Sequence, residues 1–388
     1  MSDPPADYDR VVIGAGIIGS CTAYQLLKAG HRRVLLIDQF PLPHSRGSSH
    51  GQSRIIRTAY GDVEQANMAR RTRLLWRDLE QSAGETLCVD CPLLLVAAAS
   101  HRDEFNTYVS CISNQTIYQG DQLARLLPAA AFPDGYTGGL DDSAGLLRAD
   151  RCLLAVRRLF VSNGGIIRDG TPVTAITPVE GTAGEILRLE GPSVTCRGLV
   201  VCAGAWAARL LSPLGLPRLV STLRPEKVAV TYWKVKPGYT VPLAGIDLTG
   251  VGQQNGHFYW LPALEYPGLV KLCYHVGVPC DPDRRDTVRM DGVLQTTKEY
   301  VARTFPGLEP EPAIVETCMY TVTPDERCIL DVHPRYPNIA YAAGMSGQGF
   351  KMGPVFAEVL QQLVDGQKSQ FDLTTFSAER FSADVSHL

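Results

Sequence analysis

Three glycines spaced GxGxxG stand between a short apolar run and a helical segment near the N-terminus, and this arrangement restricts the fold more than any other stretch. In "DRVVIGAGIIGSCTAYQLLKAGHRRVLLIDQ" (residues 9–39) the run Val11 to Ile13 is too short for a helix and stops at Gly14. Tyr24, Leu26 and Leu27 supply apolar helical positions, and Gly30 ends the helix. "RVLLID" then reads as a buried parallel strand closed by Asp38. In a strand–turn–helix of this kind Gly14 permits the tight turn, Gly16 lets the backbone approach a pyrophosphate, and Gly19 lets helix pack on strand. The pyrophosphate would rest on free N–H groups at the helix N-terminus. Asp38 is placed to accept from ribose hydroxyls, and an acid there disfavours a 2′-phosphate. The expected ligand is NAD or FAD.

At 388 residues the chain is long for one hydrophobic core, so two lobes are expected. Beyond the first unit, helices are expected at residues 63–83 and about 150–163, with buried strand "GLVVCAGAW" between them and the next region. From about 220 to 320 strands dominate: "KVAVTYW", "HFYWLP", "GLVKLCYH" and "AIVETCMYT", interrupted by a helix near "LQTTKEYVARTF". The chain closes with strand "NIAYAAG", the turn "MSGQGF" and a helix from about Gly353. This alternation implies an α/β protein. A Rossmann-type, glutathione-reductase-like FAD-binding lobe (residues 1–85, 145–220 and 322–388) is interleaved with a sheet-rich α+β substrate lobe (86–144 and 221–321).

The second glycine turn decides between the two dinucleotides. Gly344, Gly347 and Gly349 follow a buried strand and precede a helix, which sets a second helix N-terminus near the nucleotide. A reduced flavin gathers negative charge at one edge of its ring, and a helix N-terminus stabilises it. Nicotinamide has no such need, so FAD is favoured.

Charge and cysteine usage exclude several classes. The net charge is −3, and the nearest basic cluster, Arg70, Arg71, Arg73 and Arg77, reads as the solvated face of one helix, so nucleic acid is not expected. The 11 cysteines are odd in number and scattered, which argues against a disulfide framework. Cys88 and Cys91 have CxxC spacing but no thioredoxin-like setting and no second pair for zinc, so two packed thiols are expected and no metal. "MSDPPADYDR" carries acid where a signal peptide carries base, and no apolar run reaches about 18 residues. Neither secretion nor a membrane span is expected. Ser386-His387-Leu388 has the form of the SKL peroxisomal address, which implies an import receptor as partner.

Several side chains are candidates for chemistry. "SSHGQSRIIR" holds His50, Arg54 and Arg57. The arginines could be solvent charges, but Ile55 and Ile56 imply a packed segment in which they need a buried anion. Arginine's planar fork suits a substrate carboxylate. Lys351 follows the second glycine turn. Lys271 shares a strand face with Leu269, Cys273 and His275, as either an edge-strand charge or a functional cation. Cys318 in "ETCMYTV" is either a packed thiol or a nucleophile.

Taken together, "VVIGAGIIGS", "FPLPHSRGSSHGQSRIIR", "CAGAW", "GLVKLCYH", "CMYTVTPDERCILD" and "GMSGQGFK" occur in an order that resembles the monomeric sarcosine oxidase family nearly end to end. The resemblance implies FAD held by an 8α-S-cysteinyl bond through Cys318. It implies Arg57 and Lys351 on the substrate carboxylate, and His50 and Arg54 beside the flavin. Lys271 would lie near flavin N5 as the group that activates O2, with His275, Tyr259 and Tyr320 around the substrate. Many relatives carry His where this chain has Gln348, which touches hydrogen bonding near the flavin's pyrimidine end. The implied activity is oxidation of a secondary α-amino acid (sarcosine, L-pipecolate or L-proline) by an enzyme that is a monomer, with hydrogen peroxide as product. That product suits a peroxisome. A flavin dehydrogenase would be expected to carry an extra folate-binding region, for which 388 residues leave no room. A non-catalytic flavoprotein would be expected to lose Arg57, Lys271 or Lys351, and all three are present.

Overall fold

The computed structural model describes residues 6–113, 115–182, 184–251 and 256–381, so Ser386-His387-Leu388 lies outside the described residues. An eight-stranded sheet forms the first layer. Five of its strands run parallel side by side: Ile166–Arg168, Val34–Ile37, Tyr8–Ile13, Val194–Val201 and Ile339–Ala343. The register sets Val11 beside Leu35 and Leu199, and Val200 beside Ala340. Alternate residues point to opposite faces, and both faces are covered. Val12, Leu36, Val200 and Ala340 pack with Ala23, Met68, Val355 and Phe356 from three helices, Ile17–Lys28, Val63–Ala83 and Gly349–Val364. Val11, Leu35, Leu199 and Ile339 pack on the other side with Leu187, Leu211 and Leu219. That double burial explains why Val34–Ile37 and Ile339–Ala343 are unbroken apolar runs.

The last helix begins at Gly349, four residues before the expected start at Gly353. Pro354, a normal signal for a first turn, sits in the second turn and forgoes a backbone donor. Burial of Phe350, Met352, Val355 and Phe356 holds the helix in spite of it. The basic helix also departs from expectation. Asp62 caps it by accepting from Gln65 N at 2.9 Å, and Arg70 and Arg77 are exposed. Arg71, however, makes a two-pronged bond to Glu358 (3.0 and 2.6 Å), and Arg73 reaches Asp90 at 2.9 Å. Arg70 also reaches the Cys111 carbonyl at 2.9 Å, so three of the four arginines tie this helix to neighbours.

A nine-stranded sheet forms the second layer, running Gly277–Pro279, Arg224–Val235, Leu269–Tyr274, Gly256–Pro262, Ala244–Val251, Leu93–Ala97, Thr137–Asp141 and Ile117–Gln119. The long strand Leu308–Val322 pairs along Arg224–Val235 and sets Cys318 opposite Val228. Lys271 lies opposite Tyr232 on one side and Leu261 on the other, so its strand is interior and the edge-strand reading does not hold. A third sheet joins Ser53–Ile56, Gly145–Arg148 and Cys88–Asp90. Cys88 and Cys91 carry free thiols. No group of three or more metal-ligating side chains occurs among the described residues. Among those residues no helix is long and apolar enough to cross a membrane.

Candidate active site

Residues from both large sheets and from the small one meet at a cavity of about 700 Å³. At its nucleotide end Gly14 holds φ +100°, and a Cβ there would collide with the Cys202 carbonyl. Gly16 and Asp38 line the same end. Gly19 lies behind the lining, where a side chain would strike the Gly14 carbonyl; its role is packing, as its spacing implies. Asp38 Oδ2 accepts from Ala15 N (2.8 Å) and Oδ1 from Phe40 N (2.9 Å), with His44 Nε2 at 3.2 Å. Burial pushes the Asp38 carboxyl up, but His44 and the two backbone donors outweigh it and hold the group below the usual range. Two side chains not singled out from the sequence stand here. Ser49 accepts from Ile17 N at 3.0 Å at the helix N-terminus, and Arg157 donates to the Ala15 carbonyl.

On the facing side, Gly344 and Gly347 turn the chain into the last helix with φ of +61° and +80°, and Gly349 and Lys351 begin that helix. The loop from His44 to Gly51 is pinned against the Cys318 strand. His50 turns its two ring nitrogens to carbonyls, Nδ1 to Gly47 O at 2.6 Å and Nε2 to Thr317 O at 3.0 Å. Burial and the cations of Arg54 and Arg285 push the His50 pKa down, while these carbonyls pull it up; the downward effects prevail. Cys318 is buried yet lines the cavity, its Sγ 3.6 Å from Ser48 O.

The cations depart from the sequence expectation in an instructive way. Arg54 donates to the carbonyls of Ser53 (2.8 Å) and His50 (2.5 Å) and stacks 5.3 Å from the Phe350 ring centre. Arg57 donates to the Ala59 carbonyl and lies 4.3 Å from the Tyr60 ring and 5.4 Å from that of Tyr108. Among the described residues neither arginine, nor Lys271, nor Lys351, pairs with a carboxylate. The expected buried anion is not supplied by the chain itself. Lys351 Nζ stands 6.0 Å from the same Tyr60 ring, and burial, then Arg57 and Arg54, push its pKa down to about 7.

Beside these cations, His275 and Tyr320 meet, with Tyr320 Oη 3.3 Å from His275 Nδ1. Burial, then Lys351 and Arg57, push His275 down to about 3, so its ring is neutral near pH 7. Tyr259 closes this group at 6.3 Å, edge-on to His275. His257 stacks on His275 at 4.4 Å and lines the cavity; the sequence reading passed over it. Its signal was the alternation in "HFYWLP", where His257 and Tyr259 share a face. Lys271, 4% exposed, also lines the cavity and donates to Ser53 O at 3.1 Å.

Such an arrangement can bind an anion beside a flat ring system and hold unpaired positive charge at two separate points. Comparison with known proteins agrees with the dinucleotide site. Residues 9–363 match the family described as FAD dependent oxidoreductase. The chain is 41% identical to peroxisomal sarcosine oxidase of Homo sapiens, over 98% of each chain. It is 31% identical to monomeric sarcosine oxidase of Bacillus sp. (strain NS-129), over 96% of this chain and 97% of that one. In fold it is similar to L-proline dehydrogenase from P. horikoshii, with a TM-score of 0.81 and 18% identity over 98% and 99% of the two chains. Glycine oxidase from Geobacillus kaustophilus superposes with a TM-score of 0.78 and 19% identity over 96% and 98%. The chain belongs to the FAD-dependent oxidoreductase family and, within it, to the sarcosine oxidases.

Proposed function

We propose that this chain is an FAD-dependent oxidase of secondary α-amino acids that acts on the CH–NH group and uses O2 as acceptor. The observation that carries the reading is the convergence of buried Arg57 and Lys271 and half-buried Lys351, none paired with a carboxylate among the described residues, on the cavity that also holds the glycine turn and Cys318. Relatives named sarcosine oxidase support it.

The residues present fit FAD. Gly14 and Gly16 leave backbone open to a pyrophosphate, Asp38 is proposed to accept from the ribose hydroxyls, and the Gly344–Gly349 turn lines the cavity with a helix N-terminus behind it. FAD held there would supply the two-electron chemistry, a hydride equivalent from the substrate carbon going in and the electrons going out to O2 as hydrogen peroxide. Cys318 is the proposed 8α-thioether tether, and His50 and Arg54 the pair that holds the loop beside the ring.

Arg57 and Lys351 are proposed to receive the substrate carboxylate. Fixing it orients the amine and its neighbouring C–H, and orientation of this kind contributes much of an enzymatic rate. The same cations disfavour a protonated amine, so the reactive neutral form is more populated in the site than in water. His275, held neutral, adds no further charge there and with Tyr320, Tyr259 and His257 is proposed to wall the substrate. Lys271 is proposed to keep a positive charge where O2 gains electrons, which a low-dielectric setting makes effective. We also propose that the lobes divide as the sequence implies, that the enzyme is peroxisomal, as the names of the human and mouse relatives support, and that Ser386-His387-Leu388 is its address.

The test is peroxide release from purified enzyme given sarcosine, L-pipecolate and L-proline separately. Turnover of at least one is expected, and no peroxide from any secondary amine sinks the reading. Pocket shape sets the preferred ring size, since a methylene changes discrimination by only about 1–3 kcal/mol.

A further inference from the structure

Lys271 has a neighbour to which the reaction as described assigns no part. The turn after strand Gly256–Pro262 carries Glu265, whose Oε1 accepts from Ser53 Oγ at 2.8 Å and from Tyr232 Oη at 2.9 Å. Lys271 uses the same two residues. Its Nζ donates to Ser53 O at 3.1 Å and lies 5.8 Å from the Tyr232 ring centre, Tyr232 being its cross-strand partner. One serine thus bonds the ammonium through its carbonyl and the carboxylate through its hydroxyl. One tyrosine supports the ammonium with its ring and the carboxylate with its oxygen. Glu265 Oε2 is buried and has no hydrogen-bond donor among the described residues, so the two bonds at Oε1 are the ones that hold this side chain.

We propose that Glu265 is a positioning residue for Lys271, holding the ammonium in place through Ser53 and Tyr232 and supplying the negative charge that keeps it protonated. The inference rests on the reading of Lys271 as the cation used in the oxygen step. The groups around Lys271 leave Glu265 in this part. Arg54, on strand Ser53–Ile56, is a like charge that favours loss of the lysine proton. Cys273 on its own strand and Cys318 on Leu308–Val322 favour the proton only when ionised, and burial pushes the Cys273 thiol up. Tyr232 on Arg224–Val235 is likewise held neutral by burial and by Glu265. Glu265 is therefore the carboxylate that opposes burial and Arg54 at this position.

Glu265→Gln separates charge from shape, because an amide oxygen still accepts from Ser53 or Tyr232. The holoenzyme is labelled with 13Cε-lysine, the Lys271 resonance is assigned by its loss in Lys271→Met, and its titration midpoint is read. The midpoint should fall by about one pH unit or more in Glu265→Gln, a roughly tenfold loss of proton affinity. In Glu265→Asp, which keeps the charge, it should recover most of that shift. Reoxidation by O2, followed by stopped flow, should lose rate at correspondingly lower pH while flavin reduction by substrate keeps its profile. A midpoint within ~0.3 of the parent overturns the proposal; so does equal slowing of both half-reactions. Where the Gln variant does not fold, Glu265→Thr, neutral and still an acceptor, carries the same expectation. Lys271→Met left with normal reoxidation would instead refute the role of Lys271, and the NMR midpoint would still report on Glu265.

Discussion

Gly347 stands so close to His275 that a Cβ on the glycine would lie 2.5 Å from His275 Cε1. The turn beside the proposed flavin edge and the ring beside the proposed substrate are therefore packed as one unit. Gly347→Ala must displace His275 and also hold alanine at φ +80°. A loss of about 1–3 kcal/mol of stability is expected, together with weaker FAD retention and slower flavin reduction. Thermal unfolding and anaerobic stopped flow measure the two. A variant with parental stability and reduction rate would show that the turn is not coupled to His275.

The two cysteines of "CMYTVTPDERC" should behave oppositely. Cys318 lines the cavity, whereas Cys328 is 3% exposed in the core and its thiol is pushed up to about 12, chiefly by burial. After acid precipitation the parent and Cys328→Ser should keep flavin in the pellet, and Cys318→Ser should release it. Flavin released from the parent would remove the covalent bond from the proposal.

As a proposed carboxylate ligand, Lys351 should make the affinity for carboxylate pH-dependent. Its pKa is lowered, so the free site holds this cation below about 7 and loses it as pH rises through that value. Affinity for a non-oxidisable aliphatic carboxylate, read from the flavin spectrum, should fall roughly tenfold between about pH 6.5 and 8.5. Lys351→Met should bind weakly with a flat profile. Arg57→Gln should weaken binding at every pH by about 1.5–3 kcal/mol, the range for a hydrogen bond to a charged group. A flat parental profile would show that Lys351 does not meet the carboxylate.

Asp365, distant from the site, links the first strand to the last helix. Oδ1 accepts from Arg10 Nη2 (2.6 Å), Oδ2 from Gln361 Nε2 (2.8 Å), and His31 Nε2 lies 3.0 Å from both oxygens. Burial raises its pKa, but His31, Gln361 and Arg10 outweigh burial and bring it to about 2. This lowered pKa contributes stability that is complete above the unfolded value of about 3.9 and is lost as pH falls through the folded one. Asp365→Asn should cost about 1–3 kcal/mol near neutrality, and the gap should narrow by about half by pH 3. Denaturant melts across that range would contradict this if the gap stayed constant.

The nucleotide end was legible because its constraints are local. Gly14, Gly16 and Asp38 lie within one strand–turn–helix–strand unit, where spacing alone dictates backbone shape. The apolar runs at 34–37 and 339–343 were legible for a similar reason: a strand buried on both faces cannot afford polar residues. His257 and Glu265 were not legible. His257 is a site residue only because an antiparallel register sets its strand beside the one leading to His275. Glu265 matters only because Ser53, 212 residues away in sequence, reaches it. The arginines were half legible: "RIIR" implied burial, but that no carboxylate among the described residues meets them depended on what the other strands carry there.

By itself the sequence determined the dinucleotide turn, the alternation of elements and the identity of the cations, because these follow from spacing and side-chain chemistry along one segment. The tertiary structure alone decided that Arg57, Lys351 and Lys271 gather around one cavity with no carboxylate partner among the described residues, and that Cys318 opens to it while Cys328 does not. Burial and charge balance are sums over residues far apart in the chain, and only the packed sheets bring those residues within range of one another.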